Sequence, residues 1–178
     1  MTLNEIIDVI VEPFGRPLDY AFREQTKIRV KNWRTKLLRD SLNRNSNDRR
    51  HYLQSFGTTL VLVPEVECPI TTGCDILRSE KKIPKPVRIQ GLLFDYVGTI
   101  DFKKPYSHSL PEQAVFYKHM KYFSSRTTYS YINDYIWIQN PPSNDLKYLG
   151  VRLIPEDPED LTGFICDSNI SKCYDDNS

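Results

Sequence analysis

Three histidines, four cysteines and one dense run of cations are the residues of this sequence equipped for chemistry, and each makes its own demand on spacing. His51, His108 and His119 fall on separate expected elements. A histidine acting as general base needs a partner that orients its ring, and none of the three has one nearby in sequence. Cys68, Cys74, Cys166 and Cys173 lack the two-residue spacing of a zinc knuckle, and no histidine stands within ligand spacing of either pair. With no secretory signal they read as reduced structural thiols rather than as a disulfide framework. Asp95 and Asp101 form the one candidate pair of carboxylates, but they flank Gly98 and read better as supports of a turn. No G-x-S-x-G, no H-E-x-x-H and no phosphate-binding glycine loop occurs. These residue types therefore point to no enzyme, no cofactor and no metal.

The cations are more informative. The stretch "TKIRVKNWRTKLLRDSLNRNSNDRR", Thr26 to Arg50, carries nine lysines and arginines against two aspartates, in a chain of 178 residues whose formal net charge is only +1. The balance lies at the other end, where Glu156 to Ser178 hold seven acidic residues and one lysine. Candidate contact residues in the basic run are Lys27, Arg29, Lys31, Arg34, Lys36 and Arg39. Their partner could be nucleic acid, an acidic protein neighbour, or solvent alone. Opposed patches suit head-to-tail association of identical subunits, and they equally suit two solvated faces. A reader of base sequence would gather its cations on one helix face with aromatics or amides among them. Here the charges wrap the helix, and Trp33 is expected to be its core anchor. Non-specific phosphate contact, with its dependence on salt, stays open.

The elements that must carry these residues change character along the chain. Thr2 and Glu5 make a capping box, and Leu3, Ile6, Ile7 and Ile10 recur at helical spacing, so a short amphipathic helix is expected over 3–11. Pro13, Gly15 and Pro17 impose a turn. A longer helix is expected from Leu18 to Leu42, with Leu18, Phe22, Ile28, Trp33, Leu37 and Leu42 loosely keeping one face. After the polar break "RNSNDRR", "DRRHYLQSF" reads as a further helical turn or two stopped at Gly57. From there β-branched residues take over. "TTLVLVPEV" reads as a strand ended by Pro64, and "CPITTGCD" and "SEKKIPKP" as loops. "VRIQGLLFDYVGTID" resumes strand patterning, with Gly91 and Gly98 marking a bulge or turn. "LPEQAVFYKHM" suits a short helix.

"TTYSYINDYIWIQN" is the clearest local signal: two alternating aromatic runs flank Asn133-Asp134, a pair that tolerates the left-handed backbone of a tight hairpin. "LKYLGVRLI" supplies one more strand. The expected fold is α+β: an N-terminal helical hairpin or three-helix unit (1–57), an antiparallel β-rich domain with a short helix (58–160) and an acidic tail (161–178). Eleven tyrosines and 12% aromatics fit a tyrosine-rich strand domain or a partly wet interface, for which Tyr129, Tyr131, Tyr135 and Trp137 are the candidates. Glu5 and Asp8 interrupt the N-terminal apolar run, so no signal peptide is read there. No stretch is apolar for long enough to suggest a membrane-spanning helix.

Taken together, "YSYINDYIWIQNPPSNDLKYLGVRLIPEDPEDL" and the upstream "LLFDYVGTIDFKKPYSHSLPEQAVFYKH" resemble the structural ring proteins of crAss-like bacteriophages, over roughly residues 85–160. The opening "MTLNEIIDVIVEPFG" is similar in style to the head-completion adaptors of other tailed phages. The chain stops at "CYDDNS", soon after the last expected strand and where a closing element is expected, which leaves open whether the sequence is a portion of a longer protein. The resemblance implies a passive, geometric role. Copies of the chain would form a ring, twelve-fold as phage portals usually are, in the head–tail connector between portal and tail. Its partners would be itself, the portal protein and other tail or ring proteins, with non-specific contact to the packaged DNA and none to a membrane. It would be made in the cytoplasm of the bacterial host and reside in the virion at the head–tail junction. The basic helix would then meet acidic surfaces of neighbours, Glu156–Asp176 among them, or face the DNA channel. The alternatives are a small nucleic-acid-binding protein using the 23–50 segment and a virion-associated hydrolase using a histidine.

Overall fold

The computed structural model describes residues 3–15, 19–44, 46–64, 76–110, 113, 126–142 and 146–164. They divide into two compact units, Met1–Arg50 and His51–Ser178. The α+β expectation holds, with helices first and a mainly antiparallel sheet after them.

In the first unit, helix α1 (Leu3–Val11) occupies the span expected from its apolar periodicity. A single 3-10 turn, Glu12–Phe14, follows it and is closed by Gly15 in the left-handed conformation. Helix α2 (Tyr20–Arg44) begins where the Asp19 carboxylate accepts a hydrogen bond from the Phe22 amide at 3.1 Å. That is the N-cap chemistry that satisfies one of the orphan donors of the first turn. The two helices pack on each other. Phe14 meets Phe22 edge-on at 5.6 Å, and Asp8 pairs with Arg23 at 2.6 Å. Ile7 and Val11 are buried on α1, and Thr26, Leu38 and Leu42 on α2.

The expected third helix does not run to Gly57. A 3-10 segment covers Ser46–His51, and strand β1 begins at Gln54 and runs to Val63. Gly57 lies inside the strand, opposite Gly150. The reason is non-local. "QSFGTTLVLV" places Phe56, Thr58 and Leu60 on one face at period two, and a partner nearly a hundred residues later holds it extended.

The second unit adds β2 (Ile76–Ser79), β3 (Tyr96–Gly98), β4 (Ser107–His108), β5 (Thr128–Ile132), β6 (Tyr135–Gln139) and β7 (Tyr148–Leu153). Their order across the sheet is β3-β7-β1-β2-β6-β5-β4, all neighbours antiparallel except β4 with β5. β1 changes partner along its length: Gln54–Thr59 pair with β7 and Leu60–Val63 with β2. The two outer strands are then tied together. Gly98 bridges Pro105, and the Tyr106 amide donates to the Val97 carbonyl at 2.8 Å just before β4 starts. The sheet closes into a near-barrel, which leaves few free edges.

Inside it lie Phe56, Leu77, Ile83, Phe94, Val97, Tyr129, Ile136, Ile138, Leu149, Val151 and Leu153. Each fully buried aliphatic side chain contributes about 1.5–3 kcal/mol. The predicted hairpin is present, with Asn133 and Asp134 both at positive φ, 54° and 67°. Gly91 also turns the chain as expected, with Gln90 beside it at φ 49°. Residues Pro158–Phe164, at the junction with the expected acidic tail, form a 3-10 segment whose Leu161 and Phe164 pack on the core. Of "LPEQAVFYKHM" the structure describes only the start, where the Gln113 amide donates to the Leu110 carbonyl and the Leu110 amide to the Gln113 side chain.

Candidate interface surfaces

The six candidate cations all lie on α2, but helical geometry does not bring them to one face. At 100° per residue, Lys27, Lys31 and Arg34 share one side and are half-buried, whereas Arg29 and Lys36 point elsewhere and are exposed, as is Arg39. The charges wrap the helix as the sequence suggests.

Trp33 is a correction. It was expected to anchor the core, yet it is 60% exposed, with the Lys36 ammonium 5.2 Å from the ring centre. Leu37, one turn on, is 63% exposed, and Ile28 is exposed too. The buried residues of α2 are Thr26, which shares the side of Trp33, and Leu38 and Leu42, which lie more than about 100° around the helix from it. The physical reason is length. α2 has 25 residues and spans about 37 Å, while the 9 residues of α1 span about 13 Å and cover only its beginning. Beyond that cover, apolar side chains on the same side of α2 meet solvent.

The hairpin candidates divide between the two faces of the sheet. Tyr129 and Tyr131 point inward and close edge-on against Phe94, at 6.0 and 5.1 Å. Burial pushes the Tyr129 hydroxyl up to about 12 and raises that of Tyr131. Tyr131 donates its hydrogen bond to Asp134 at 3.1 Å, which fastens the turn. Trp137 and Tyr135 lie on the opposite face with Val63 and Ile76, and Trp137 is only 3% exposed.

Arg78 is the residue that sequence reasoning missed there. Its guanidinium lies 4.4 Å from the Tyr135 ring centre and 5.5 Å from that of Trp137. It comes from β2, a strand of four residues too short to register as a pattern. The outer faces of β5 and β6 hold Thr128, Ser130 and Gln139, buried and hydrogen-bonded to one another and to Ser109.

Of the residues weighed for catalysis, Asp101, Asp95 and His108 take structural places. Asp101 accepts hydrogen bonds from the Thr99 hydroxyl and the Lys103 amide, and the Thr99 bond holds its carboxyl below the usual range. Asp95 faces Arg152 at 3.8 Å, and Arg152 also donates to Ser55 at 2.9 Å and stacks on Phe102. Asp101 thus supports the turn after Gly98, as expected, whereas Asp95 is tied to β7 through Arg152. His108 packs against Tyr129 at 5.3 Å, and burial lowers its pKa. His119 and all four cysteines lie outside the described residues. Among the described residues no three histidines, cysteines or acids converge to hold a metal ion, and no helix is long and apolar enough to cross a membrane.

None of the curated proteins matches the chain. A family model does, and it extends well beyond the 85–160 segment that carried the resemblance. The model described as "Phage tail ring protein 2" matches residues 5–178. The chain therefore belongs to the crAss phage tail ring protein 2 family, whose members are structural ring proteins of the phage tail.

Proposed function

We propose that this chain builds a ring in the head–tail connector, between portal and tail, around the channel through which DNA leaves the capsid. The family match over residues 5–178 carries the reading. A ring of identical subunits needs a rigid body and surfaces for its neighbours. The near-barrel provides the first. A helical hairpin with exposed apolar and basic residues is suited to the second. Lys27, Arg29, Lys31, Arg34, Lys36 and Arg39 are assigned to subunit contacts or to the channel wall. Cations lining such a wall would touch phosphates without reading sequence. Of the hairpin aromatics, Tyr135, half-buried on the outer face beneath Arg78, is the better placed to meet a partner, whereas Trp137 is buried there. Twelve-fold symmetry and direct contact with the portal complete the proposal, and no catalysis is assigned.

The test is to mix the purified protein with the portal ring of its phage and image the product by electron microscopy. An additional continuous ring at one end of the portal is the expected result. Bare portals beside free subunits would overturn it. A second reading, a nucleic-acid binder, is favoured by Trp33 standing exposed beside Arg29 and Lys36, since exposed aromatics among cations suit base stacking. That reading requires affinity for nucleic acid by the free subunit that falls steeply with salt.

A further inference from the structure

Helix α1 is apolar on more sides than one partner helix can cover. Ile7 and Val11 are buried, yet Val9 is 62% exposed, Ile10 is also exposed on the outer side, and Phe14 just beyond the helix is 64% exposed. The helix is amphipathic, but its apolar stripe is wider than the side that α2 buries, and an exposed part of such a stripe calls for a further partner. The segment from Leu3 to Phe14 also carries Glu5, Asp8 and Glu12 and no cation.

α2 presents the complement. Phe22 and Thr26, in the part that α1 covers, fall on the same side of the helix as Trp33 and Leu37, which lie beyond it. Arg29, Lys36 and Arg44 share that side with a single acid, Asp40. One hairpin therefore offers an acidic helix with an exposed apolar face and a basic stripe with exposed apolar side chains.

We infer that the outer face of α1, through Val9 and Ile10, docks on the Trp33–Leu37 stripe of the α2 helix of a second copy of this chain. The contact continues along α2 the packing that α1 begins within its own chain. Because the two surfaces differ, each copy gives one and receives the other. This is a head-to-tail contact, the kind that closes rings rather than stopping at dimers. The inference rests on the ring reading above and adds which surfaces join.

The experiment uses the 178-residue chain with the portal ring of its phage, in two variants, Val9→Cys and Leu37→Cys, assembled singly and as a mixture. After mild oxidation, a cross-linked dimer is expected in the mixture and absent from either variant alone and from the parent chain, whose own cysteines provide the background. Trp33→Ala is expected to reduce ring formation at least tenfold at fixed concentration while the circular dichroism spectrum is kept. Rings that form without the mixed cross-link would overturn this contact and leave the ring reading standing. Absence of rings from the parent chain would overturn both. If Trp33→Ala leaves assembly intact but lowers affinity for single-stranded DNA, the stripe belongs to nucleic acid and the inference fails.

Discussion

Gly98 and Gly163 differ in what surrounds them, and the difference sets the cost of one methyl group. A Cβ at Gly98 would meet the Lys104 carbonyl oxygen and the Tyr96 ring, whereas one at Gly163 meets nothing within 4 Å. The first contact is partly with backbone, in the loop that closes the sheet, so it cannot be relieved by a rotamer change. Gly98→Ala is expected to lower unfolding free energy by about 1–3 kcal/mol, and Gly163→Ala by no more than about 0.5 kcal/mol, in urea titrations. The tyrosines make a second prediction at this scale. Tyr129 has its pKa raised from 10.0 to about 12 by burial. The unfolded chain therefore loses this proton first as pH rises. Stability is fully present below pH 10 and falls between pH 10 and 12, by about 1.4 kcal/mol per pH unit for this group. Denaturant melts across that range should show the decline, and Tyr129→Phe should make it shallower.

At the level of elements, what could be read from sequence is what depends on neighbours a few residues away. The hairpin is the best case. Asn133-Asp134 is a two-residue signal, and both residues take the positive φ that such a turn requires. Asn133→Gly should be tolerated, while Asn133→Val should cost about 1–2 kcal/mol, since a β-branched residue fits this conformation poorly. Asp19 caps α2 by equally local chemistry, and Asp19→Ala should cost about 1 kcal/mol of helix stability. Faster amide exchange in the first turn of α2 would report it. The misreadings share the opposite cause. Gln54–Gly57 looked helical because their strand partner, β7, is supplied from residues 150–153. Trp33 looked like core because periodicity reports which side of a helix is apolar and cannot report where its partner helix ends. Barrel closure through Pro105 and Tyr106 had no local signature at all. The candidate surfaces were legible as charge and aromatic content, but not as faces. Arg78 joins Tyr135 and Trp137 only once β2 and β6 pair.

For the whole molecule, the two units are unequal in what holds them. Of the described core side chains, only Ile7, Val11, Leu38 and Leu42 belong to the first fifty residues, and the others belong to the second unit. A unit with so little buried apolar surface has little free energy opposing local opening. Amides of α1 and α2 in the free subunit should therefore exchange well before those of Leu149 and Val151, which sit at the centre of the near-barrel. Assembly changes the balance selectively. Where a neighbour covers the hairpin, binding adds to its stability by mass action and slows opening of the covered segments. Exchange measured on subunits and on assembled rings should show α1 and the Arg29–Arg44 half of α2 gaining at least tenfold in protection, with the barrel amides unchanged. Protection gained only in the barrel would place the subunit contacts on the sheet, and the hairpin would then be free for the portal or for DNA.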